Sequence, residues 1–218
     1  MPTFVQANIG TTPASTLNLP YTSNNTAGNF LVACVRFFNT GNATYSLHDS
    51  QGNVWYKVNK GFLNHGLSRI DTWYSSNCNA GANTVTITCT NPNNPNPEMA
   101  ILEYIFTTTA ALEIANSAQS SSNSNSPNSG NVLTSQAVEL LIGFCCNETV
   151  GGLINTPAAG WTSRASDGDL FVCDQVTSSA GTYAFSSTLS SSVAWGAYIS
   201  AFRSSPASQR SSFFIMAQ

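Results

Sequence analysis

The chain has 218 residues, 42% of them hydrophobic, which is enough to bury a sizeable core, yet only 8% are charged, against roughly 25% in ordinary soluble domains. With 7 Lys+Arg, 10 Asp+Glu and a net charge of −3, it offers a phosphate backbone no counterion-releasing partner, and nucleic acid is excluded as a ligand class. No run approaches the roughly 18 apolar residues of a membrane span, so membrane insertion is excluded too, and the opening MPTFVQANIG lacks both the basic and the apolar region of a secretory signal.

In chain order, short runs rich in β-branched and aromatic residues predict strands over 30–38, 45–49, 54–58, 69–76, 83–90, 99–106, 138–146, 169–176, 182–189 and 194–203. Gly, Asn, Pro and Ser clusters separate them, the spacing of an all-β sandwich. FLVACV and VELLIGF are apolar on both faces and are expected in the middle of sheets, whereas NTVTITCT alternates, turning Val85, Ile87 and Cys89 inward. ALEIANSAQ comes nearest to a helical period and is short. The prolines of NPNNPNP forbid regular pairing, and SAQSSSNSNSPNSGN (117–131) reads as a low-complexity surface loop. A break there would leave about five strands on each side, so the expectation is one domain: a single antiparallel β-sandwich over 1–203, followed by a C-terminal extension over 204–218.

Six cysteines, Cys34, Cys78, Cys89, Cys145, Cys146 and Cys173, are compatible with disulfides in an exported protein or with buried thiols acting as small hydrophobes. Cys145 and Cys146 are adjacent in a strand and must point to opposite faces. No CxxC occurs, and no metal or other cofactor is expected. Sequons fall at Asn24, Asn42 and Asn147, as a chain rich in Asn and Thr produces by chance. DSQGN (49–53) and SDGDL (166–170) combine Asp or Asn with Gly. Both read as tight turns ahead of calcium sites, because each alone supplies too few oxygens.

Catalytic residues are not expected. Only His48 and His65 could act as imidazole bases, and Asp49 diverges from His48 in an extended strand. There is no G-x-S-x-G elbow, and Glu98 and Glu103 flank MAIL without forming a sequence motif. Sugar binding needs an exposed aromatic face beside amides. Of Trp55, Tyr56, Trp73, Tyr74, Trp161 and Trp195, parity makes one of each adjacent pair a core residue. Trp161, between AAG and TSR, is the best candidate platform.

The ordered set TAGNFLVACVRF, DSQGNVWYKV, IDTWYSSNCNAGANTVTIT, MAILEYIF, a Ser/Asn/Gly loop, VELLIGF, AGWTSRAS and AGTYAFSSTLSSSVAWGAYISAFR resembles a β-sandwich module of large bacterial surface and secreted proteins and some phage-associated proteins. The resemblance covers roughly 4–203 and implies a jelly-roll-like sandwich serving adhesion, architecture or glycan contact. It implies no catalytic residues.

Such modules end near Arg203. The remaining SSPASQRSS is a tether able to span roughly 30 Å at about 3.3 Å per residue, and it leads to Phe213, Phe214, Ile215 and Met216. That apolar peptide can return to its own sheet or add to a neighbouring copy, where head-to-tail donation would build a filament. The expectation is therefore a non-enzymatic structural or adhesive subunit of an extracellular assembly (surface filament, matrix fibre or virion appendage), with itself as partner. The alternative is a carbohydrate-binding module whose partners are surface glycans.

Overall fold

The computed structural model describes residues 1–38, 44–58, 68–90, 96–106, 110–119, 122–147 and 155–204. The first half supplies β1 (Thr3–Thr11), β2 (Thr16–Pro20), β3 (Phe30–Phe38), β4 (Thr44–Asp49), β5 (Tyr56–Lys57), β6 (Ser68–Ser75), β7 (Thr84–Thr90) and β8 (Glu98–Ile105). The second supplies β9 (Ala110–Gln119), β10 (Val132–Thr134), β11 (Glu139–Asn147), β12 (Asn155–Pro157), β13 (Thr162–Ser166), β14 (Leu170–Val176), β15 (Gly181–Tyr183), β16 (Ser187–Leu189) and β17 (Trp195–Ser204).

The expected single sandwich is replaced by two in tandem. β1–β8 form a large sheet ordered β1-β8-β3-β6-β5, stacked on a small sheet ordered β2-β7-β4. β9–β17 repeat the plan with a large sheet ordered β9-β17-β11-β14-β13, and the pairs β12-β16 and β10-β15 stand opposite it. All pairings are antiparallel. Both units are stacks of open sheets, and neither curls into a closed jelly-roll barrel.

The stretch read as one long loop is where the second sandwich unit went unrecognised. β9 runs through it to Gln119, and Ser124 and Asn128 bridge to Val193 and Ser186. Its Ser and Asn side chains carry no apolar pattern, but its backbone completes the second unit's outer layer.

Why the large sheets face one another follows from strand parity. In β3 the even residues Phe30, Val32 and Cys34 enter a core between the two large sheets, while Leu31, Ala33, Val35 and Phe37 enter the core of the first unit. β11 divides the same way: Leu140, Ile142, Phe144 and Cys146 face the shared core, and Leu141 and Cys145 face the second unit's own. A strand apolar on both faces must be covered on both, so three apolar layers alternate with four layers of strands. The adjacent Cys145 and Cys146 do take opposite faces, Cys89 lies in the first unit's core, and all six cysteines are buried with no disulfide between them.

Phe185 reaches the second unit's core by lying on the backbone of β11. A Cβ on Gly143 would stand 2.4 Å from its ring, inside any permitted contact. Gly143→Ala is therefore expected to destabilise the protein by about 1–3 kcal/mol through overpacking. Thermal denaturation checks this, and an unchanged midpoint would show that Phe185 can be displaced freely.

Candidate functional site

Polar groups gather where the three cores end. Glu103, fully buried on β8, is saturated: Oε2 accepts from Gln6 Nε2 (2.6 Å) and Asn25 Nδ2 (2.8 Å), and Oε1 from Asn29 Nδ2 (2.6 Å) and the Thr26 backbone N–H (3.0 Å). It is a structural node that ties β1 and the 25–29 segment to β8. Glu98, on the same strand, faces the shared core with Ala100 and Leu102, whereas Glu103 shares the opposite face with Met99 and Ile101. The two carboxyls lie on opposite faces of one sheet and cannot act on one bond.

Glu98 opens instead on a cleft of about 340 Å³ at the seam between units, where it meets Arg36, Asp167 and Asp169. Arg36 donates through Nη1 to Glu98 Oε2 (3.0 Å) and through Nη2 to the Asn147 carbonyl of the second unit (3.0 Å), with Asp169 at 4.0 Å. Burial, reinforced by the hydrogen bond to Asp167, pushes the Glu98 carboxyl up to about 9 against the pull of Arg36. SDGDL is the turn it resembles: Asp167 Oδ1 accepts from the N–H groups of Asp169 and Leu170, and Gly168 takes φ +98°. Among the described residues no cluster of three or more His, Cys, Asp or Glu could hold a metal ion, and no helix is long and apolar enough to cross a membrane.

A wider groove of about 690 Å³ opens elsewhere on the seam. Its floor is Tyr74, whose ring continues a cluster that begins in the shared core with Phe30 (5.9 Å between centroids) and Phe202 (5.4 Å). Opposite it in the β5–β6 register stands Tyr56, 5.6 Å away, tilted by 30° and 54% exposed. Asn53 and Asn79 form one wall and Asn77 another, while Ala110 and Ala111 of β9 close the end. None of these lining residues carries a charge.

The walls are held from below. The Asp49 carboxylate accepts from Asn53 N–H (2.9 Å), Asn53 Nδ2 (2.7 Å), Trp55 Nε1 (3.0 Å) and Asn83 Nδ2 (3.1 Å). DSQGN is thus a tight turn whose carboxylate is fully engaged, with Gly52 at φ +67°. Asn53 Oδ1 accepts the Asn79 N–H (2.8 Å), and Asn79 Nδ2 donates to the Gln51 carbonyl (2.8 Å). Asn77 holds φ +59°, a conformation that Asn tolerates far better than most residues.

Trp161 is a correction. It is 8% exposed, packed edge-on to Phe185 at 5.2 Å within the second unit's core, and presents no platform. The small outer layer opposite β11 leaves a gap that an indole fills, which the loop-like residues around it do not disclose. Parity was the better guide for the other pairs: Trp55 and Trp73 pack on the first unit's core, and Tyr56 and Tyr74 occupy the opposite face. His48 is exposed while Asp49 is buried, so they do diverge. Asn147 is buried and donates to the Gly168 carbonyl, which rules out its sequon in the folded chain. Asn24 is exposed. His65, Asn42 and the tail residues Phe213, Phe214, Ile215 and Met216 lie outside the described residues.

Comparison of the chain with family models, curated proteins and solved structures gave no match.

Two outcomes test the buried carboxyls. The unfolded chain releases the Glu98 proton near 4.5, but the fold retains it to about 9. The folded state therefore binds more protons across that interval, and stability falls as pH rises through it. Glu139, raised to about 7 by burial beside Glu113, adds the same sign only in the lower part. The thermal midpoint is expected to fall between about pH 7 and about pH 9, and Glu98→Gln to flatten that decline; equal slopes would remove Glu98 from the explanation. Glu103→Gln cannot accept from all four donors, so a loss of about 1–3 kcal/mol is expected in urea unfolding.

Proposed function

We propose that the chain is a non-enzymatic structural and adhesive subunit of an extracellular assembly. The observation that carries this reading is the fused seam. Two sandwich units share one apolar core and are cross-tied at its rim by Tyr104 Oη to Asp174 (2.9 Å), Arg164 over the Phe4 ring (4.1 Å), Arg36 to the Asn147 carbonyl and Ser76 Oγ to the Ala110 carbonyl (2.6 Å). Such a block resists hinging and suits a part that must hold position. Its low charge reduces repulsion between packed copies, and its buried thiols are protected where oxidants reach the surface: burial pushes Cys145 up to about 12 and suppresses the reactive thiolate.

The finer classification belongs to the same proposal. The order β1-β8-β3-β6-β5 over β2-β7-β4 in the first unit supports reading it as a jelly-roll-like winding, in keeping with the resemblance to modules of bacterial surface and phage-associated proteins. β17 ends at Ser204, paired with Ala110, and the tail that follows carries the apolar peptide 213–217. Donation of that peptide to an open sheet edge of a neighbour, such as β4 with its exposed Thr44, Ser46 and His48, would join copies head to tail.

The full chain is expected to form filaments or rings by light scattering and negative-stain microscopy, and a chain ending at Ser204 to remain monomeric. If both are monodisperse monomers, assembly through the tail is wrong.

A further inference from the structure

We infer that the groove between β5 and the 75–79 turn binds neutral oligosaccharides, with Tyr56 as the stacking platform and Asn77 as a hydrogen-bonding partner. The inference supplies the adhesive reading with a ligand class, but it rests on separate observations.

The first is an exposed ring with a reason to stay exposed. Tyr56 is anchored through its backbone to β6 and leans on Tyr74, which is itself wedged against Phe202 of the second unit. The two tyrosines form a continuous aromatic surface from the shared core to solvent. Burial and the neighbouring Tyr56 phenol raise Tyr74, keeping it a neutral hydroxyl. Apolar sugar faces stack on such a surface.

The second is the chemistry of the walls. Asn53, Asn77 and Asn79 stand beside the rings, Val54 is 64% exposed, and no lining residue among the described residues is charged. A site for phosphate, sulfate or carboxylate would present Arg, Lys or a cluster of aligned N–H groups. The first-unit cations that stand nearest in the register, Lys57 and Arg69, are instead held by Asp71 at 2.9 Å each. Amides and a ring without charge match hydroxyl groups on a neutral ring.

The third is preorganisation. Asp49 fixes Asn53, Asn53 fixes Asn79, and Asn77 is already in the left-handed conformation. Little side-chain or loop entropy remains to be lost on binding. The size of the groove falls within the range of small-molecule sites.

The test uses the full chain on immobilised neutral oligosaccharides of glucose, mannose, galactose and N-acetylglucosamine, with sialylated and sulfated glycans beside them, followed by calorimetry on the glycans retained. Retention of neutral glycans is expected, with Tyr56→Ala weakening binding about tenfold or more and Tyr56→Phe by less than about twofold. Asn77→Gly, which keeps the backbone conformation, is expected to weaken binding several-fold without lowering the thermal midpoint. The inference is overturned if no neutral glycan is retained, if only charged glycans are, or if Tyr56→Ala binds like the parent. Repeating the measurement on the chain ending at Ser204 separates the claims. Tail-dependent filaments without sugar binding sink this inference alone, and sugar binding by permanent monomers sinks strand donation alone.

Discussion

The structure depends on one constraint: β3 and β11 are apolar on both faces, so neither large sheet can have a wet side. Each unit's own small sheet covers only one face. The other face of each large sheet is covered by the other unit, through Phe30, Leu102 and Tyr104 on one side and Phe144, Tyr198 and Phe202 on the other. The tandem arrangement is thus a solution to burial rather than two independent domains on a string. At roughly 25 cal/mol per Å² of apolar surface removed from water, a sheet-wide interface dominates any single polar contact at its edge.

Those edge contacts do a different job. The dry centre of the seam has little directionality, so its register is set at the rim, where Tyr104 finds Asp174 and Arg36 finds the Asn147 carbonyl. Arg164 adds a further device, lying 4.1 Å over the Phe4 ring while its guanidinium bonds Asp174. One side chain therefore grips strands of both units. Buried charges are costly unless paired. Here each is paired within its own unit, Arg36 with Glu98 and Arg164 with Asp174, and reaches the opposite unit through a second contact, to the Asn147 carbonyl and the Phe4 ring.

Much of this was legible in the sequence. FLVACV and VELLIGF are the central strands of the two large sheets, and TVTITCT alternates as an intermediate/buried ladder. What escaped has physical causes. β1 interrupts its β-branched residues with Gln6, buried for its bonds with Glu103 and Ser23, and with Ala7, Asn8 and Gly10, while β9 is rich in Ala and has Ile114 as its one β-branched residue. β12 has three residues, too few for a period, and the strand expected over 182–189 is split into β15 and β16, of three residues each. The repeated strand plan was hidden because equivalent segments share little sequence: NAGANTVTIT leads into β7 and SAGTYAFSST into β15 and β16 with few side chains in common. Of the groove, Tyr56 and Tyr74 were visible as a parity pair. The contribution of Ala110 and Ala111 from the second unit was not, because small residues leave no trace of what they border.

The two copies of the strand plan have taken different paths at one equivalent place. In the first unit the edge strand β5 carries Tyr56 out to solvent. In the second, the corresponding edge strand β13 carries Arg164 inward onto its sister unit. Topologically equivalent edge strands thus make a point of outward contact in one half and a buttress in the other. Because each half conceals the greasy face of its twin, neither can be shed or swapped during evolution without exposing an aggregation-prone surface. Inheritance must carry them as a pair, free to diverge only along their margins.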